Sequence, residues 1–489
     1  MGRAANYILS YDAGTSGIKA VLVGTDGSIC ASATAGYSLL RPEEGWAEQI
    51  PDEYWAAACQ SAHAVLAQGN VSPEQVVGVV FATQWKGMIP LDSEGNVLHN
   101  SIIWMDTRAA AEAAELVEKT GLACVARDYW PRVIWFKKQY PDLYEKTVCI
   151  LEANSYLKYK ATGSKTIDQS NHFTRSTLPK VQELFDTMLS GGEVAPELFP
   201  PVVRSTDEVG QLTEKAAQEL GLCVGTPVFG GLCDIPAVTI GAGAGTIGGA
   251  HVYLGTSGWI GLTRAVGDGA PRIPVVLAED RWAHVAGMQS ACMSYDWCLR
   301  TFYKEELERL GDEIFPLVEE ELSRIPAGSL GLTALPSLNG EGGPFSPKMR
   351  AGFVGLTASH DRRHMVNAVL EGICSILRLR KEAIEKSAGT KITRIHVVGG
   401  GAGSAHWMQM LADMLNAEVV VPENARYAGA LGAAYCAMIG LGLCEDFEEC
   451  AARVRIKATY VPRKEAVEVY DRQWPRFWKA AQLLGEVDS

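Results

Sequence analysis

A Gly-Thr-Ser-Gly turn occurs at Gly14–Gly17 and again at Gly255–Gly258. Such a turn presents successive backbone N–H groups, and the hydroxyls of Thr15, Ser16, Thr256 and Ser257 add further donors. Together these can cradle phosphate oxygens. One copy alone reads more simply as a hairpin turn that needs glycine. Two copies in matching surroundings favour phosphate, and suggest one ligand held between two similar halves. Neither copy is a Walker A loop, because G-x-x-x-x-G-K-[ST] is absent. Asp12 lies just before the first turn. A carboxylate there repels phosphate unless Mg²⁺ lies between, and Mg²⁺ takes one or two carboxylates with phosphate oxygens and waters. Asp12 is therefore the metal candidate, acting through water; its alternative role is a turn-capping Asp.

Asp234 is the one charge in a long uncharged neighbourhood, FGGLCDIPAVTIGAG. Burying an unpaired carboxylate is costly, so such residues are often functional. A hydroxyl is a poor nucleophile and loses its proton as it attacks phosphorus, and a carboxylate within hydrogen-bond reach can accept that proton. The competing role is to cap a helix that starts at Pro236, since Pro favours the first turn. GAGAGTIG, from Gly241, contains G-x-G-x-x-G and raises the possibility of a nicotinamide oxidoreductase. That motif needs a strand before it and a helix after, whereas a β-prone run follows here almost at once. VVGGGAGSAHW, from Val397, reads as strand, glycine turn and helix; Gly400, Gly401 and Ser404 could lie against a flat base or ribose. Two segments, TQWKGMIPLD from Thr83 and IIWMDTRAA from Ile102, mix aromatic rings with charge. Rings stack on the C–H faces of carbohydrate and charged groups bind its hydroxyls, which selects Gln84, Trp85, Lys86, Asp106 and Arg108. Asp106 can equally be an N-cap of the Ala-rich helix that follows, with Arg108 on its solvent side.

These residues need a scaffold, and the pattern supplies it twice. The β-prone runs Tyr7–Tyr11, Ile18–Val23 and Ile29–Tyr37 surround the first turn and an Asp26-Gly27 hairpin. A helix is expected from Pro51-Asp52 to about Ala67, with Trp55, Ala58, Ala62 and Leu66 at helical spacing, then a strand over Val76–Ala82. The second half repeats the order: His251–Leu254, the second turn, Trp259–Thr263, a turn-rich Gly267-Asp268-Gly269, Trp282–Ala286, and a helix over Ser290–Leu310. Ile395–Val398 adds a strand, followed by a helix from Ser404 to Asn416. Further helices are expected from Asp361 to Lys386, capped by Ser359 or Asp361 and stopped at Gly389, and from Arg426 to Ile439, whose Ala and Gly allow close packing. This order resembles the plan of the actin/hexokinase-type ATPases, an α/β fold, and a domain boundary is expected near Ala244–Gly249.

Bulk properties narrow the class. The 489 residues, 47% of them hydrophobic, suffice for two or three domains. A net charge of -13 disfavours nonspecific nucleic-acid binding, which rests on Lys and Arg against phosphates. The N-terminus shows no apolar stretch of a signal peptide and lacks the myristoylation pattern. The longest uncharged run, Ile235–Thr263, could span a membrane by length, but its glycine-rich turns argue for loops and buried strands. Twelve Cys without C-x-x-C or metal-like spacing point to free thiols in a reducing compartment, the cytoplasm, with no membrane partner.

Along essentially its whole length the chain resembles the FGGY family of carbohydrate kinases. The resemblance rests on YDAGTSGIKAVL, GWAEQIPDEYW, IIWMDTRAA, GLCDIPAVTIGAG, YLGTSGW, AGFVGLTASHDRRH with its LEG, VVGGGAGS and GALGAA, in that order. The WMDTR segment is most similar to the xylulokinase-like branch. The resemblance implies two RNase-H-like domains around a cleft, residues 1–246 on the sugar side and 247–489 on the nucleotide side. It implies ATP and Mg²⁺ as cofactors, a sugar or polyol acceptor such as the pentulose xylulose, and a homodimer as a family expectation. Asp234 falls on the family's catalytic base, Asp12 on its Mg²⁺-linked aspartate, and Thr15, Thr256 and Ser257 in its phosphate loops. Gly400, Gly401 and Ser404 fall in its adenosine loop. Gln84, Trp85, Lys86, Asp106 and Arg108 fall in its sugar-side segments. Three departures stand out: Trp85-Lys86-Gly87 replaces the usual M-H-G, Ile235 replaces a polar residue after the base, and Gly342 stands where Arg is common. They spare the phosphate turns and alter the sugar pocket; Lys86 suits either a sugar acid or a ketose. A rival outside this class is an actin-like nucleotide-binding protein without kinase activity.

Overall fold

The computed structural model describes residues 6–171, 174–267, 274–342 and 349–487. The chain divides into two compact units. The first comprises Met1–Gly241, Ala270–Trp282 and Tyr427–Arg453; the second comprises Ala242–Gly269, Ala283–Arg426 and Val454–Ser489.

In the first unit, β1 (Tyr7–Ala13), β2 (Gly17–Gly24) and β3 (Ile29–Gly36) form an antiparallel meander. The strand Val76–Thr83 pairs parallel to β1, and Pro227–Phe229 and Glu208–Gln211 extend the sheet beyond it. The short strand Leu232–Cys233 also pairs parallel to Val76–Thr83, at its carboxyl end. Strand alternation decides what each face meets. Tyr11 donates its hydroxyl to the Ala58 carbonyl at 3.1 Å, so its face packs on α1 (Pro51–Gly69). Ser10, on the opposite face, donates to the Ala430 carbonyl at 2.6 Å, and the helix Ala428–Gly440 covers that side. Asp12 shares the Ser10 face.

The helix Ala428–Gly440 approaches its neighbours closely because glycine and alanine stand at its points of contact. A Cβ on Gly432 would lie 1.9 Å from the Ala237 carbonyl oxygen, and one on Gly241 would lie 1.9 Å from that of Ala428. The helices Asp234–Gly241 and Ala428–Gly440 therefore touch backbone to backbone.

The second unit repeats the opening: Ala250–Leu254 pairs antiparallel with Gly258–Ala265 across the second Gly-Thr-Ser-Gly turn, and parallel with Arg394–Val398. Glu418–Pro422 and Ile456–Tyr460 continue the sheet. The third strand is Arg281–Met288. The long helix is Arg362–Ala388, with the Asp361 carboxylate as its N-cap and Gly389 as its left-handed stop. It buries Val366, Val369, Ile373, Ile376 and Leu377 in the core of this unit.

One expected helix is broken. Ser290–Leu310 resolves into Cys292–Phe302 and Lys304–Leu310, because Tyr303 leaves the helical region at φ -128 and is fully buried. Its hydroxyl donates to Glu321 at 2.6 Å, a tertiary contact that outweighs local propensity. The turn expected at Asp268-Gly269 lies outside the described residues. GAGAGTIG has a helix before it, ending at Gly241, and a strand after it, from Ala250. That order is the reverse of what a dinucleotide-binding turn requires.

Candidate active site

In the first unit, three parallel strands end together. Ala82 lies opposite both Asp12 and Leu232, and Thr83 lies opposite both Ala13 and Cys233. Asp12, Gln84 and Asp234 thus emerge from one edge of one sheet, the carboxyl end, where ligands of open α/β sheets gather. Asp234 begins the helix Asp234–Gly241, and its Oδ1 accepts the Ile235 N–H at 2.8 Å, with Pro236 buried in the first turn. Surrounding protein pushes its carboxyl up to about 7; the Ile235 N–H opposes this and the Asp12 charge adds to it. The Asp12 carboxyl is also raised by desolvation, partly offset by Lys19. A Cβ on Gly429 would sit 2.7 Å from Asp12 Oδ2, so the GALGAA helix clears the space that this carboxylate occupies.

The first Gly-Thr-Ser-Gly turn is tightly braced. Gly14 N–H donates to Gly17 O at 3.0 Å, and the Tyr37 hydroxyl donates to Gly14 O. Gln49 Nε2 donates to Thr15 O at 2.5 Å, and Trp104 Nε1 donates to Thr15 Oγ1 at 3.2 Å. Ser16 is exposed. Gln84 is buried and donates Nε2 to Gln49 Oε1 at 2.5 Å, which the Tyr54 hydroxyl also reaches at 2.7 Å. Gln84 therefore acts on this turn through Gln49.

Lys86 adopts φ 60, uncommon for a side-chain-bearing residue. Its Nζ lies 3.1 Å from Asp128 Oδ1 and 4.7 Å from the centre of the Trp85 ring. The expectation for Arg108 is corrected. Instead of lying on the solvent side of a helix, its side chain is 1% exposed and stacks 3.7 Å from the Trp46 ring and 4.7 Å from the Trp135 ring. Glu48 at 2.8 Å and Asp106 at 2.7 Å pair with it. Nor does Asp106 cap the following helix, which begins at Ala110 after Ala109. Its carboxylate is fully buried and accepts Ala47 N–H at 2.6 Å and Arg108 N–H at 3.0 Å. Two carboxylates balance the buried guanidinium, and two tryptophans from distant segments, neither adjacent to it in sequence, add cation–π attraction.

In the second unit, the second turn is held from behind. Gly255 O accepts Cys292 N–H at 2.9 Å and Thr256 O accepts Ala291 N–H at 3.1 Å, leaving Thr256 exposed. In the GGGAGS segment, a Cβ on Gly399 would lie 2.4 Å from Leu254 O and one on Gly401 would lie 2.8 Å from Leu254 Cβ, while Gly400 faces open space. Packing thus explains Gly399 and Gly401, while Gly400 and Gly403 have room beside them. Ser404 caps the helix Ala405–Leu415, accepting Trp407 N–H at 3.1 Å, and donates to Glu319 Oε2 at 2.5 Å. Glu319 also accepts His406 N–H at 2.6 Å, a carboxylate at a helix N-terminus that no local motif announces. Beside Gly342, Arg380 donates to the Gly342 carbonyl at 2.9 Å and pairs with Glu341 at 2.9 Å, so the long helix brings an arginine to this position.

Comparison with known proteins now bears on this geometry. Residues 7–241 match the N-terminal domain of the FGGY family of carbohydrate kinases, and residues 250–441 match its C-terminal domain. The chain belongs to the FGGY family of carbohydrate kinases. It is 29% identical to the xylulose kinase of Bacillus subtilis (strain 168), over 95% of this chain and 94% of that one. It is 28% identical to the L-xylulose/3-keto-L-gulonate kinase of Escherichia coli (strain K12), over 96% of each. The gluconate kinase structure from Lactobacillus acidophilus superposes with a TM-score of 0.85 at 23% identity, over 99% of each chain. The fold is the two-domain α/β kinase fold, and the protein is a sugar kinase that takes ATP as phosphate donor. The twelve cysteines are free thiols, and among the described residues no helix is long and apolar enough to cross a membrane.

Proposed function

We propose that this FGGY kinase transfers the γ-phosphoryl group of ATP to a primary hydroxyl of an uncharged ketose, a pentulose such as xylulose, with Asp234 as general base. The observation that carries the reading is the placement of Asp234, held near pH neutrality at the strand edge it shares with Asp12. A base with a pKa near 7 is ionised enough to accept a proton and weakly acidic enough to hold it. In the transfer, the acceptor oxygen bonds to phosphorus as its proton passes to Asp234, and the bond from phosphorus to the ADP oxygen breaks. Thr15, Ser16, Thr256 and Ser257 donate to the phosphates. Gly400, Gly401 and Ser404 line the adenosine. On this reading residues 1–246 supply the acceptor site and 247–489 most of the nucleotide site.

Asp12 and Asp234 share one strand edge, and the Asp12 charge raises the affinity of Asp234 for its proton; such a pair fits a divalent cation, and Asp12 would hold Mg²⁺ through water. Bound there, Mg²⁺ supplies charge neutralisation to the phosphates.

The acceptor's charge follows from Lys86. Its ammonium is paired with Asp128, and the Arg108 guanidinium is shared between Asp106 and Glu48. Neither cation is left to balance a substrate carboxylate. Free thiols are consistent with the cytoplasm as the place of action. The test is ADP release with Mg-ATP across D-xylulose, L-xylulose, D-ribulose, D-gluconate and 3-keto-L-gulonate. Preference for a neutral ketose, with the acids gaining in Asp128→Asn, supports the reading. Preference of the wild type for either acid contradicts it.

A further inference from the structure

Asp234 is joined to a two-residue strand, Leu232–Cys233, that has little length of its own to hold it. One edge of that strand pairs with Val76–Thr83. The Cys233 N–H donates to Ser170 Oγ at 2.7 Å. Ser170 in turn donates its hydroxyl to Asp168 Oδ1, and its own N–H reaches the same oxygen at 2.9 Å. Asp168 is fixed from two further directions: Asn171 N–H donates to Oδ1 at 3.2 Å and Asn171 Nδ2 donates to Oδ2 at 2.7 Å. Cys233 Sγ contacts Ser170 O at 3.8 Å. Asp168, Asn171 and Cys233 are fully buried and Ser170 is 2% exposed.

The polarity of this chain is forced. The Cys233 N–H can only donate, so Ser170 Oγ turns a lone pair toward it and gives its single hydroxyl proton to Asp168. Just upstream, buried Lys158 donates to Gly230 O at 2.9 Å, and the N–H groups of Gly230 and Gly231 donate to Asp207 O at 2.8 Å and Ser205 O at 3.1 Å, so the run leading into Asp234 is held along its length. None of these points belongs to the acceptor or nucleotide segments described above.

We infer that Ser170, oriented by Asp168, is a positioning residue that fixes the Cys233 backbone and through it the reacting carboxylate of Asp234. The inference rests on the reading of Asp234 as base. Misplacing a catalytic group by about 1 Å costs on the order of 100-fold in rate. Ser170 therefore acts on kcat and leaves acceptor affinity nearly alone.

The experiment compares wild type, Ser170→Ala, Ser170→Thr, Asp234→Asn and the Ser170→Ala/Asp234→Asn double variant. ADP release is measured with Mg-ATP and D-xylulose, and backbone hydrogen exchange is followed in the peptide that covers Cys233. Ser170→Ala is expected to lower kcat at least tenfold with KM for D-xylulose within threefold, and to speed exchange at Cys233. Ser170→Thr keeps the hydroxyl and restores most of the rate. In the Asp234→Asn background Ser170→Ala costs nothing further, because it acts through that carboxylate. Wild-type kcat in Ser170→Ala, equal losses in both backgrounds, or unchanged exchange at Cys233 overturns the inference. If Ser170→Ala does not fold, Ser170→Cys, which keeps the size with a weaker hydrogen-bonding group, carries the same predictions. A fully active Asp234→Asn enzyme would instead overturn the assignment of the base. The exchange measurement judges the Ser170 contact whether or not D-xylulose is the acceptor.

Discussion

At Asp234 the demands of chemistry and of folding oppose each other. Its carboxyl is raised from 3.8 to about 7, so the folded protein binds this proton more tightly than the unfolded chain does. Stability from this group is full below pH 3.8 and is lost as pH rises through 7. Asp234→Asn, neutral throughout, is expected to melt above wild type at pH 8, with the gap closing near pH 4. Parallel thermal melts check this; equal melting temperatures at pH 8 would show that the carboxylate carries no such strain. On the proposed reading activity runs the other way, since a general base works only when ionised. The kcat/KM profile of the free enzyme is expected to rise with pH through an apparent pKa near 7, and that limb should vanish in Asp234→Ala. Both aspartates were legible in the sequence, one as a lone charge among apolar residues and one beside a glycine turn. The burial of Arg108 was not, because the rings of Trp46 and Trp135 that enclose it come from separate segments. Nor was Ser170, which meets Cys233 across 63 residues; only the Asp168-Gln169-Ser170-Asn171 turn pattern hinted at a local hydrogen-bonded bend.

Among the elements, the paired helices Asp234–Gly241 and Ala428–Gly440 determine where the two carboxylates sit. Their contact depends on missing side chains. Gly432→Ala puts a methyl group 1.9 Å from the Ala237 carbonyl oxygen and is expected to destabilise by about 2 kcal/mol or more. Gly429→Ala presses on Asp12 instead. It is expected to weaken Mg²⁺ dependence of activity more than it lowers melting temperature; a Mg²⁺ titration beside a melt separates the two. The Ala/Gly composition of 426–439 announced close packing, and the meander around the first turn followed from β-prone runs and an Asp-Gly hairpin. The interruption at Tyr303 was hidden, since helical spacing continues through it and a distant glutamate decides the break.

For the molecule as a whole, the repeated strand–turn–strand opening gives each unit one Gly-Thr-Ser-Gly turn at the end of its first strand. The duplication was readable because glycine turns and strand periodicity are local properties. The return of residues 427–453 to the first unit was not, because a helix pattern carries no record of its partner. Removing both hydroxyls of the second turn, Thr256→Ala with Ser257→Ala, is expected to raise KM for Mg-ATP about tenfold, the loss of one or two charge-assisted hydrogen bonds. KM for the acceptor should change much less; a larger change in it than in KM for Mg-ATP would assign the turn a different ligand. The central claim is that acceptor-dependent phosphoryl transfer passes its proton to Asp234. The most direct measurement is ADP release from Mg-ATP with and without D-xylulose, wild type beside Asp234→Ala. The account predicts stimulation by the sugar in wild type and at least a 100-fold loss of it in the variant, the range for removal of a general base. Stimulation at the wild-type rate in Asp234→Ala would contradict it.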